Sequence, residues 1–328
     1  MSIEDRPPRP DRPGEAGAVW ALVALGLSVH SEVRLIGSRR ERIVGERTVE
    51  IYRRQADEEH VPVERTLLER RLPDGSLVMR VSRLVDGGHH ILTPRHGTFV
   101  ISADGSSITC ANLRAPSWQW HRPLYAQALP LAATVQGLEL LHASAVAWRG
   151  RAVGFMAPSG MGKSSLATAL AARGAQPYAD DVLALECRGG VVMAHPGVPL
   201  ANVPREQLEA LSPTHRRALG RTVGSSGKLH VKLDRLPRQP LPLGALIFLC
   251  RSAKLERVSL RLERPPEPTA LLGATFMPHI TMPTRLLTQL DTCGALAASV
   301  PVLRLLAPLR EPASTLAAVV QDALSQLL

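Results

Sequence analysis

A short glycine-rich segment constrains the fold of this chain more than any other feature. Residues 157–165 read Ala-Pro-Ser-Gly-Met-Gly-Lys-Ser-Ser, after an apolar stretch at 152–156 and before a stretch of helical character that ends at Gly174. A strand, a glycine-rich turn and a helix in this order form the phosphate-binding loop pattern, except that Ala157 replaces the first glycine. The sequence therefore predicts an α/β fold with an anion site where the helix begins.

The residue types in this segment suit the phosphates of a nucleotide. Glycine and serine let successive backbone N–H groups turn toward an anion, and the helix directs its positive end at it. Lys163 supplies a mobile cation for the β- and γ-phosphates, and the Ser164 hydroxyl completes the coordination of Mg²⁺. An ordinary glycine-rich turn would need neither residue. We predict that ATP and Mg²⁺ bind here, and the predicted nucleotide-binding residues are Ser159, Gly160, Met161, Gly162, Lys163, Ser164 and Ser165.

An acidic pair follows one helix later. Asp180 lies 17 residues after Lys163, and Asp181 comes directly after it, before an apolar stretch at 182–185. Phosphoryl transfer requires a carboxylate that holds Mg²⁺ directly or through water and one that accepts a proton from the attacking hydroxyl. Adjacent carboxylates also occur in solvated turns, which is the alternative interpretation of this pair.

The charge balance favours acidic partners without choosing among them. The net charge is +10, yet lysine occurs only at positions 163, 228, 232 and 254, so a lysine in the glycine-rich segment is notable. Excess arginine attracts phosphates, nucleic acid or an acidic peptide. Aromatic residues make up only 3% of the chain and no dense basic block is interleaved with them, so we expect no nucleic-acid partner.

Cysteine usage and hydropathy indicate a cytoplasmic protein. The four cysteines, at 110, 187, 250 and 293, lack the paired spacing of metal ligands, and we interpret them as reduced, buried thiols. The longest uncharged apolar run, at 16–29, has 14 residues, whereas a membrane span needs roughly 18 or more. We interpret this run as a core element and expect no membrane association.

Composition divides the chain into three parts. Residues 1–15 combine prolines with charges, which predicts a disordered tail. Short apolar stretches punctuated by Gly, Asp and Pro predict a strand-rich N-terminal domain over 16–120. A predicted helix at 118–137 leads into a second domain at 121–328. The apolar stretches lie at 47–52, 76–85 and 97–102.

Two further elements are predicted in the second domain. Residues 243–250 form a continuous apolar run, which favours a buried strand. Ser314 is suited to N-cap a last helix whose apolar residues form one stripe, more typical of core than of an interface. The stripe consists of Leu316, Val319, Val320, Leu324 and Leu327.

Three motifs in order resemble one kinase family. Leu-His-Ala-Ser at 141–144, the glycine-rich segment and Ala-Asp-Asp at 179–181 are similar to the core of HPr kinase/phosphorylase and its HPr-kinase-related relatives. The resemblance covers about residues 137–187 and implies an HPr-kinase/PEP-carboxykinase-like kinase domain. It implies that His142, Asp180 and Lys163 are catalytic, with the first two beside the transferred phosphoryl group, and that Ser164 and Asp181 hold the metal. The second long signature segment and the N-terminal domain of the HPr enzyme are not found here, which argues against control of sugar transport and reverse phosphorolysis.

A second resemblance narrows the expected acceptor. Residues 25–32, Leu-Gly-Leu-Ser-Val-His-Ser-Glu, are similar to the opening of HPr-kinase-related proteins found with ribosomally made peptides, notably lasso-peptide kinases. This implies a serine kinase acting on a precursor peptide at its C-terminal serine, with the N-terminal domain helping to capture the peptide. Residues 194–199 and the Ser-Gly-Lys at 226–228 also resemble these relatives, so Lys228 is expected either to neutralise phosphate charge or to be a surface lysine. Members of the family are often multimers, which makes a homo-oligomer a further expectation.

Two other functions stay open at this point. The same chemistry is compatible with a folded carrier protein as the acceptor. A non-catalytic nucleotide-binding regulatory protein is the third hypothesis, and the Ala157 substitution is its best support. Such a protein would have no need of His142 and the acidic pair in this order, so the kinase hypothesis is preferred.

Overall fold

The first third of the chain forms one broad β-sheet. The computed structural model describes residues 19–54, 62–114, 116–264 and 266–328. The strands of the first sheet are β1 Trp20–Ala24, β2 Leu27–Ser31, β3 Arg39–Arg40, β4 Thr48–Arg53, β5 Val63–Arg71, β6 Leu77–Leu84, β7 His89–Thr93, β8 Gly97–Ile101 and β9 Ser107–Ala111. Within the described ranges they pair in the order β3-β1-β2-β4-β9-β8-β7-β6-β5.

Three of these strands confirm the apolar stretches predicted as strands, namely β4, β6 and β8. Side chains alternate between the two faces of a strand, and along β8 the buried Phe99 and Ile101 flank a partly exposed Val100. The apolar run at 16–29 becomes the buried hairpin β1–β2 from Trp20 onward. Its first residues, 16–18, and the tail predicted for 1–15 lie outside the described residues.

A helical segment covers the first sheet. It consists of α1 Trp118–Pro123, a π-helical turn at Leu124–Ala128 and α2 Leu129–Val135, which confirms the predicted helix. The wide π-helical turn lies between Pro123 and Pro130. Regular α-helical hydrogen bonding is interrupted here because proline has no backbone N–H to donate.

The second half of the chain adds two sheets and the remaining helices. The larger sheet contains β10 Glu139–Leu141, β11 Ala143–Trp148, β12 Arg151–Met156, β13 Gln176–Ala179, β14 Leu183–Arg188, β15 Val191–His195, β19 Leu241–Ser252, β20 Ser259–Glu263 and β21 Val302–Pro308. The smaller sheet contains β16 Leu200–Val203, β17 Gly220–Ser226 and β18 Lys228–Leu233. The helices are α3 Lys163–Ala171, α4 Arg205–Glu209, α5 Pro213–Leu219, α6 Pro268–Gly273, α7 Pro283–Ser299 and α8 Ala313–Leu327.

The larger sheet is sandwiched between helices, which confirms the predicted α/β class. Its central strands run β15-β19-β12-β11-β13, and β19 is parallel to both β12 and β21. Val153 and Phe155 of β12 pack with α3 and α8 on one face, whereas Ala152 and Met156 pack with α6 and α7 on the other. The predicted strand at 243–250 is the core of β19.

The hydrophobic core of the first sheet extends into the second half of the chain. Apolar side chains of the first sheet and of the helical segment pack with Val182, Leu200 and Ile280. A domain boundary at residue 120 therefore stays a prediction. None of the helices in the described residues combines the length and apolar character that a membrane crossing requires.

Two details of the sequence interpretation are wrong. Helix α8 is N-capped by Pro312, because the extended backbone of that residue directly precedes the first helical turn, so Ser314 lies inside the helix. In the predicted stripe, Leu316, Val320 and Leu324 are buried, Val319 is partly buried, and Leu327 is 38% exposed at the helix end.

The prediction of buried cysteines is confirmed in full for one residue only. All four thiols are free, Cys110 is buried, and Cys250 and Cys293 are partly buried. Cys187 is exposed because it lies at the end of β14, where the chain leaves the sheet for an exposed turn at 189–190.

Candidate active site

The glycine-rich segment joins β12 to α3, in the predicted strand, loop and helix order. Gly160 and Gly162 have φ values of +82° and +99°, which side-chain-bearing residues rarely adopt. Gly162 N-caps α3 without a side-chain hydrogen bond, so the first N–H groups of the helix face the space above the loop. A Cβ at Gly160 would meet no atom within 4 Å, which leaves this side of the loop open for a ligand.

Lys163 is the buried cation of the loop. Its side chain reaches back, and Nζ donates a hydrogen bond to the backbone carbonyl oxygen of Ala157 at 2.7 Å. Residue 157 contacts Lys163 through its backbone, its side chain packs against the core on the α3 and α8 face of the larger sheet, and its φ is not positive. The backbone conformation at this position therefore does not require a glycine.

His142 positions this lysine. Its Nδ1 lies 3.0 Å from the carbonyl oxygen of Asp181, and its Nε2 lies 3.2 Å from Lys163 Nζ. A carbonyl oxygen only accepts, so Nδ1 carries the proton and Nε2 accepts from the ammonium. Burial lowers the pKa of His142, and the charge of Lys163 lowers it further, which agrees with a neutral ring.

Asp180 is buried at the end of β13 and lies against the start of α3. Its Oδ1 accepts hydrogen bonds from Ser164 Oγ at 2.7 Å and Ser144 Oγ at 2.9 Å, and its Oδ2 accepts one from the Asn202 backbone N–H at 2.8 Å. Burial raises the pKa of Asp180 to about 6, and the charge of Asp181 acts in the same direction. A carboxyl group with this pKa can gain and lose a proton near neutral pH.

Asp181 lies at the start of a chain of hydrogen bonds. It adopts a left-handed backbone with φ of +65°, and its Oδ2 accepts from the Asn202 side-chain amide at 2.9 Å. The Oδ1 atom of Asn202 accepts from His230 Nδ1 at 2.8 Å, and His230 Nε2 accepts from Ser226 Oγ at 2.8 Å. Burial lowers the pKa of His230 to about 4, so the ring is neutral. The hydrogen bonds therefore all donate in one direction, from Ser226 through His230 and Asn202 to Asp181.

The structure brings His142, Lys163, Ser164, Asp180 and Asp181 together, and their catalytic and metal-binding roles stay predictions. Lys228 begins β18 on an exposed hairpin, and its positive charge contributes to the lowered pKa values of His142 and Lys163.

The other predicted nucleotide-binding residues lie on the loop or its helix. Ser159 and Gly160 are exposed, and Met161 and Gly162 are half-buried. Ser165, also half-buried, forms no side-chain hydrogen bond to the acidic pair among the described residues. A role in nucleotide binding stays a prediction for these positions.

Several neighbours of the site were missed by the sequence interpretation. Ser144, Asn202 and His230 were not singled out for a role, and neither was Arg251 at the end of β19. The Arg251 guanidinium lies against the loop, since a Cβ on Gly162 would be 3.6 Å from its Nη2. Its Nη1 donates to the carbonyl of Glu311 at 2.7 Å, whereas its buried Nε has no partner in the described part of the chain. The sequence signal for Arg251 was its place near the carboxyl end of an apolar strand, because ligands bind beyond the carboxyl ends of parallel strands.

The donor set at the acidic pair fits Mg²⁺. The Ser164 hydroxyl donates its hydrogen bond to Asp180, so its oxygen lone pairs stay free for a cation. Asp181 supplies a carboxylate as a second ligand. No group of three or more His, Cys, Asp and Glu side chains in the described ranges is suited to hold a metal ion. Mg²⁺ does not need one, because it is commonly bound by one or two carboxylates together with substrate phosphates.

Comparisons with known proteins add little to this geometry. No protein-family model matches the chain, and no curated protein matches it. Among solved structures, the Hpr(Ser) kinase/phosphatase from Coxiella burnetii aligns with 57% of this chain and 97% of its own, at 14% identity and a TM-score of 0.33. We draw no conclusion from an alignment at that TM-score.

Proposed function

We propose that this chain is an ATP-dependent kinase that transfers a phosphoryl group to a serine hydroxyl. The observation that carries the proposal is the hydrogen bond from Ser164 to the buried Asp180 at 2.7 Å. It ties the first turn of a phosphate-binding loop to a carboxyl group whose pKa is raised to about 6. A protein that only binds nucleotides has no need of a poised carboxylate at that position.

Each residue has a role in this proposal. The backbone N–H groups of the loop and the Lys163 ammonium hold the nucleotide phosphates, and Arg251 supplies a second cation beside Gly162. His142 keeps Lys163 in place. Ser164 and Asp181 would hold Mg²⁺, which would neutralise phosphate charge. Lys228 is proposed to act on the same charge from the hairpin.

Proton transfer falls to Asp180. As the acceptor oxygen forms its bond to the γ-phosphorus, the bond to the leaving oxygen of ADP breaks and the hydroxyl proton moves to the Asp180 carboxylate. Ser144 and the Asn202 backbone N–H keep that carboxylate oriented throughout. Most of the rate enhancement would come from positioning and charge neutralisation.

We propose a ribosomally made precursor peptide of the lasso type as the acceptor, phosphorylated at its C-terminal serine. The support is the resemblance of residues 25–32 to kinases of such peptides. In the structure these residues form the β1–β2 turn and β2, and the Leu25 N–H donates to the carbonyl of Pro196 in the loop after β15. Two of the three segments that carry the resemblance to peptide kinases, residues 25–32 and 194–199, therefore lie in contact.

The test incubates the purified protein with Mg²⁺, ATP and candidate precursor peptides, with phosphate detected by mass spectrometry and nucleotide affinity by calorimetry. We expect Lys163→Met to weaken ATP binding by roughly tenfold or more, since a charged hydrogen-bond donor is lost. Asp180→Asn should keep ATP binding and slow transfer by about 10²- to 10⁴-fold. The matched control is Lys254→Met, because Lys254 is exposed and outside the site.

The outcomes separate the hypotheses. Phosphate on the peptide serine, lost in both site variants and kept in the control, supports the proposal. Transfer to a folded carrier protein instead of any peptide would replace the proposed acceptor. Tight ATP binding without transfer to either acceptor would refute the kinase function.

A further inference from the structure

A cavity of about 470 Å³ opens beside the tip of the β17–β18 hairpin, away from the residues of the glycine-rich loop. Its walls come from the β7–β8 turn, the segment after β9, helix α1 and the tip of the β17–β18 hairpin. None of residues 157–165 lines it among the described residues. The side chains that define it are Arg95, His96, Arg114, Trp118, Arg122 and Ser226.

The cavity concentrates positive charge. Three arginines line it, and no acidic side chain does among the described lining residues. Arg122 is half-buried and forms no hydrogen bond or ion pair within the described part of the chain. Burial lowers the pKa of Arg122, whereas the negative charge of Asp181 raises it. A cation in this position is available to an anion that enters the cavity.

The cavity wall is joined to the acidic pair by hydrogen bonds. Ser226 forms part of the wall and donates to His230, which connects through Asn202 to Asp181. The ring of Trp118 packs on His230, with ring centroids 5.3 Å apart. A group bound in the cavity is therefore held at a defined position relative to the two carboxylates.

The position of the cavity distinguishes an acceptor from the nucleotide. In the proposed reaction the attacking hydroxyl approaches the γ-phosphorus opposite the leaving oxygen of ADP, so the acceptor needs a site that the nucleotide does not fill. The cavity meets this condition, because among the described residues none of 157–165 lines it, whereas Ser226 in its wall connects through His230 and Asn202 to Asp181. The volume is in the range of sites that hold small ligands or a short peptide end.

We infer that this cavity binds an oxyanion of the acceptor, a carboxylate or a phosphate monoester close to the hydroxyl that is phosphorylated. The inference rests on the proposed kinase function. Arginine pairs with either group through two parallel hydrogen bonds, and Arg122 and Arg114 are the principal candidates. Trp118 offers an apolar face to the residue that carries the group.

The test measures binding of three peptides to the full-length protein saturated with MgADP. They are acetyl-Ala-Ala-Ser with a free carboxylate, its C-terminal amide, and the amide that ends in phosphoserine. We expect at least one of the two anionic peptides to bind about tenfold more tightly than the neutral amide. A preference for the free acid identifies the C-terminal carboxylate as the recognised group, and a preference for phosphoserine identifies a phosphate.

Variants connect this preference to the cavity. Arg122→Gln and the exposed Arg114→Gln should each weaken binding of the preferred peptide by roughly tenfold, while exposed Arg257→Gln, outside the cavity, should leave it unchanged. Equal affinity for all three peptides, or a preference that survives both cavity variants, would overturn the inference. Calorimetry of MgADP alone separates the two proposals. Absence of MgADP binding refutes the proposed function, whereas MgADP binding without an anion preference refutes only the inference.

Discussion

At the scale of single residues, the site is organised by a buried carboxylate that water does not solvate. Asp180 is 9% exposed and accepts hydrogen bonds from Ser144, Ser164 and Asn202. These bonds stabilise the charged form, and burial opposes it more strongly, so the pKa rises. The carboxylate is thereby poised to accept a proton close to neutral pH.

This balance predicts how the transfer rate depends on pH. Asp180 must be deprotonated to accept the hydroxyl proton, and its pKa is about 6. The rate should be constant above that pH and fall about tenfold for each unit below it. Initial rates with saturating MgATP measure the profile. Asp180→Asn provides the control, since its residual rate should lack this acid limb, and an identical limb in the variant would contradict the assignment.

At the scale of elements, a glycine in the loop after β15 supports the strand that carries the acidic pair. Gly197 donates its N–H to the carbonyl of Tyr178 at 2.8 Å, and a Cβ at Gly197 would lie 2.8 Å from the Cα of Ala179. The backbones can lie this close only where residue 197 has no side chain, because moving the Ala179 backbone away from a Cβ would strain β13. The end of β13 and Asp180 are therefore held by direct packing.

Gly197→Ala tests this packing. We expect it to lower the free energy of unfolding by about 1–3 kcal/mol, because the added methyl group displaces Ala179, and to slow transfer as well. The matched control is Gly294→Ala within α7, where a Cβ meets no atom within 4 Å. That change should stabilise the protein by roughly 0.5–1 kcal/mol. Urea unfolding measures both variants, and a neutral Gly197→Ala would show that β13 is not held this way.

At the scale of the whole molecule, a buried ion pair connects the larger sheet to helix α7. Arg285 of α7 lies 3.4 Å from Glu139 of β10, and both are almost inaccessible. The guanidinium also donates to the carbonyls of Ile280 and Phe276. Burial raises the pKa of Glu139 to about 7 despite the neighbouring arginine. Each charged group of this pair therefore needs the other as its buried counter-charge.

Removing the arginine should destabilise the whole fold. Arg285→Met leaves Glu139 buried without a counter-charge and three polar contacts unmade, and we expect a loss of about 3–5 kcal/mol. Arg205→Met is the matched control, because the Arg205–Glu209 pair is an exposed contact within α4 and should contribute at most about 0.5 kcal/mol. Chemical denaturation compares them, and equal effects would contradict this role of the buried pair.

The local part of the site could be predicted from the sequence because backbone conformation there depends on neighbouring residues. Glycines that adopt positive φ, a strand before them and a helix after them specify the loop, and Lys163 and Ser164 follow from its geometry. The acidic pair could be expected near the loop, since one helix connects them. Asp180 directly follows β13, and its side chain accepts a hydrogen bond from Ser164 at the start of α3.

The remaining contacts were decided by the tertiary structure. Asn202 of the smaller sheet donates to Asp181, and His230 and Ser226 connect to it through Asn202. The pairing of β19 with β12 brings Arg251 to the loop, and the helical segment places Arg122 in the wall of the cavity. Such contacts depend on strand register and packing between segments far apart in sequence. Burial, which raises the pKa of Asp180, depends on the same packing, so the sequence indicated the chemistry and the fold determined its surroundings.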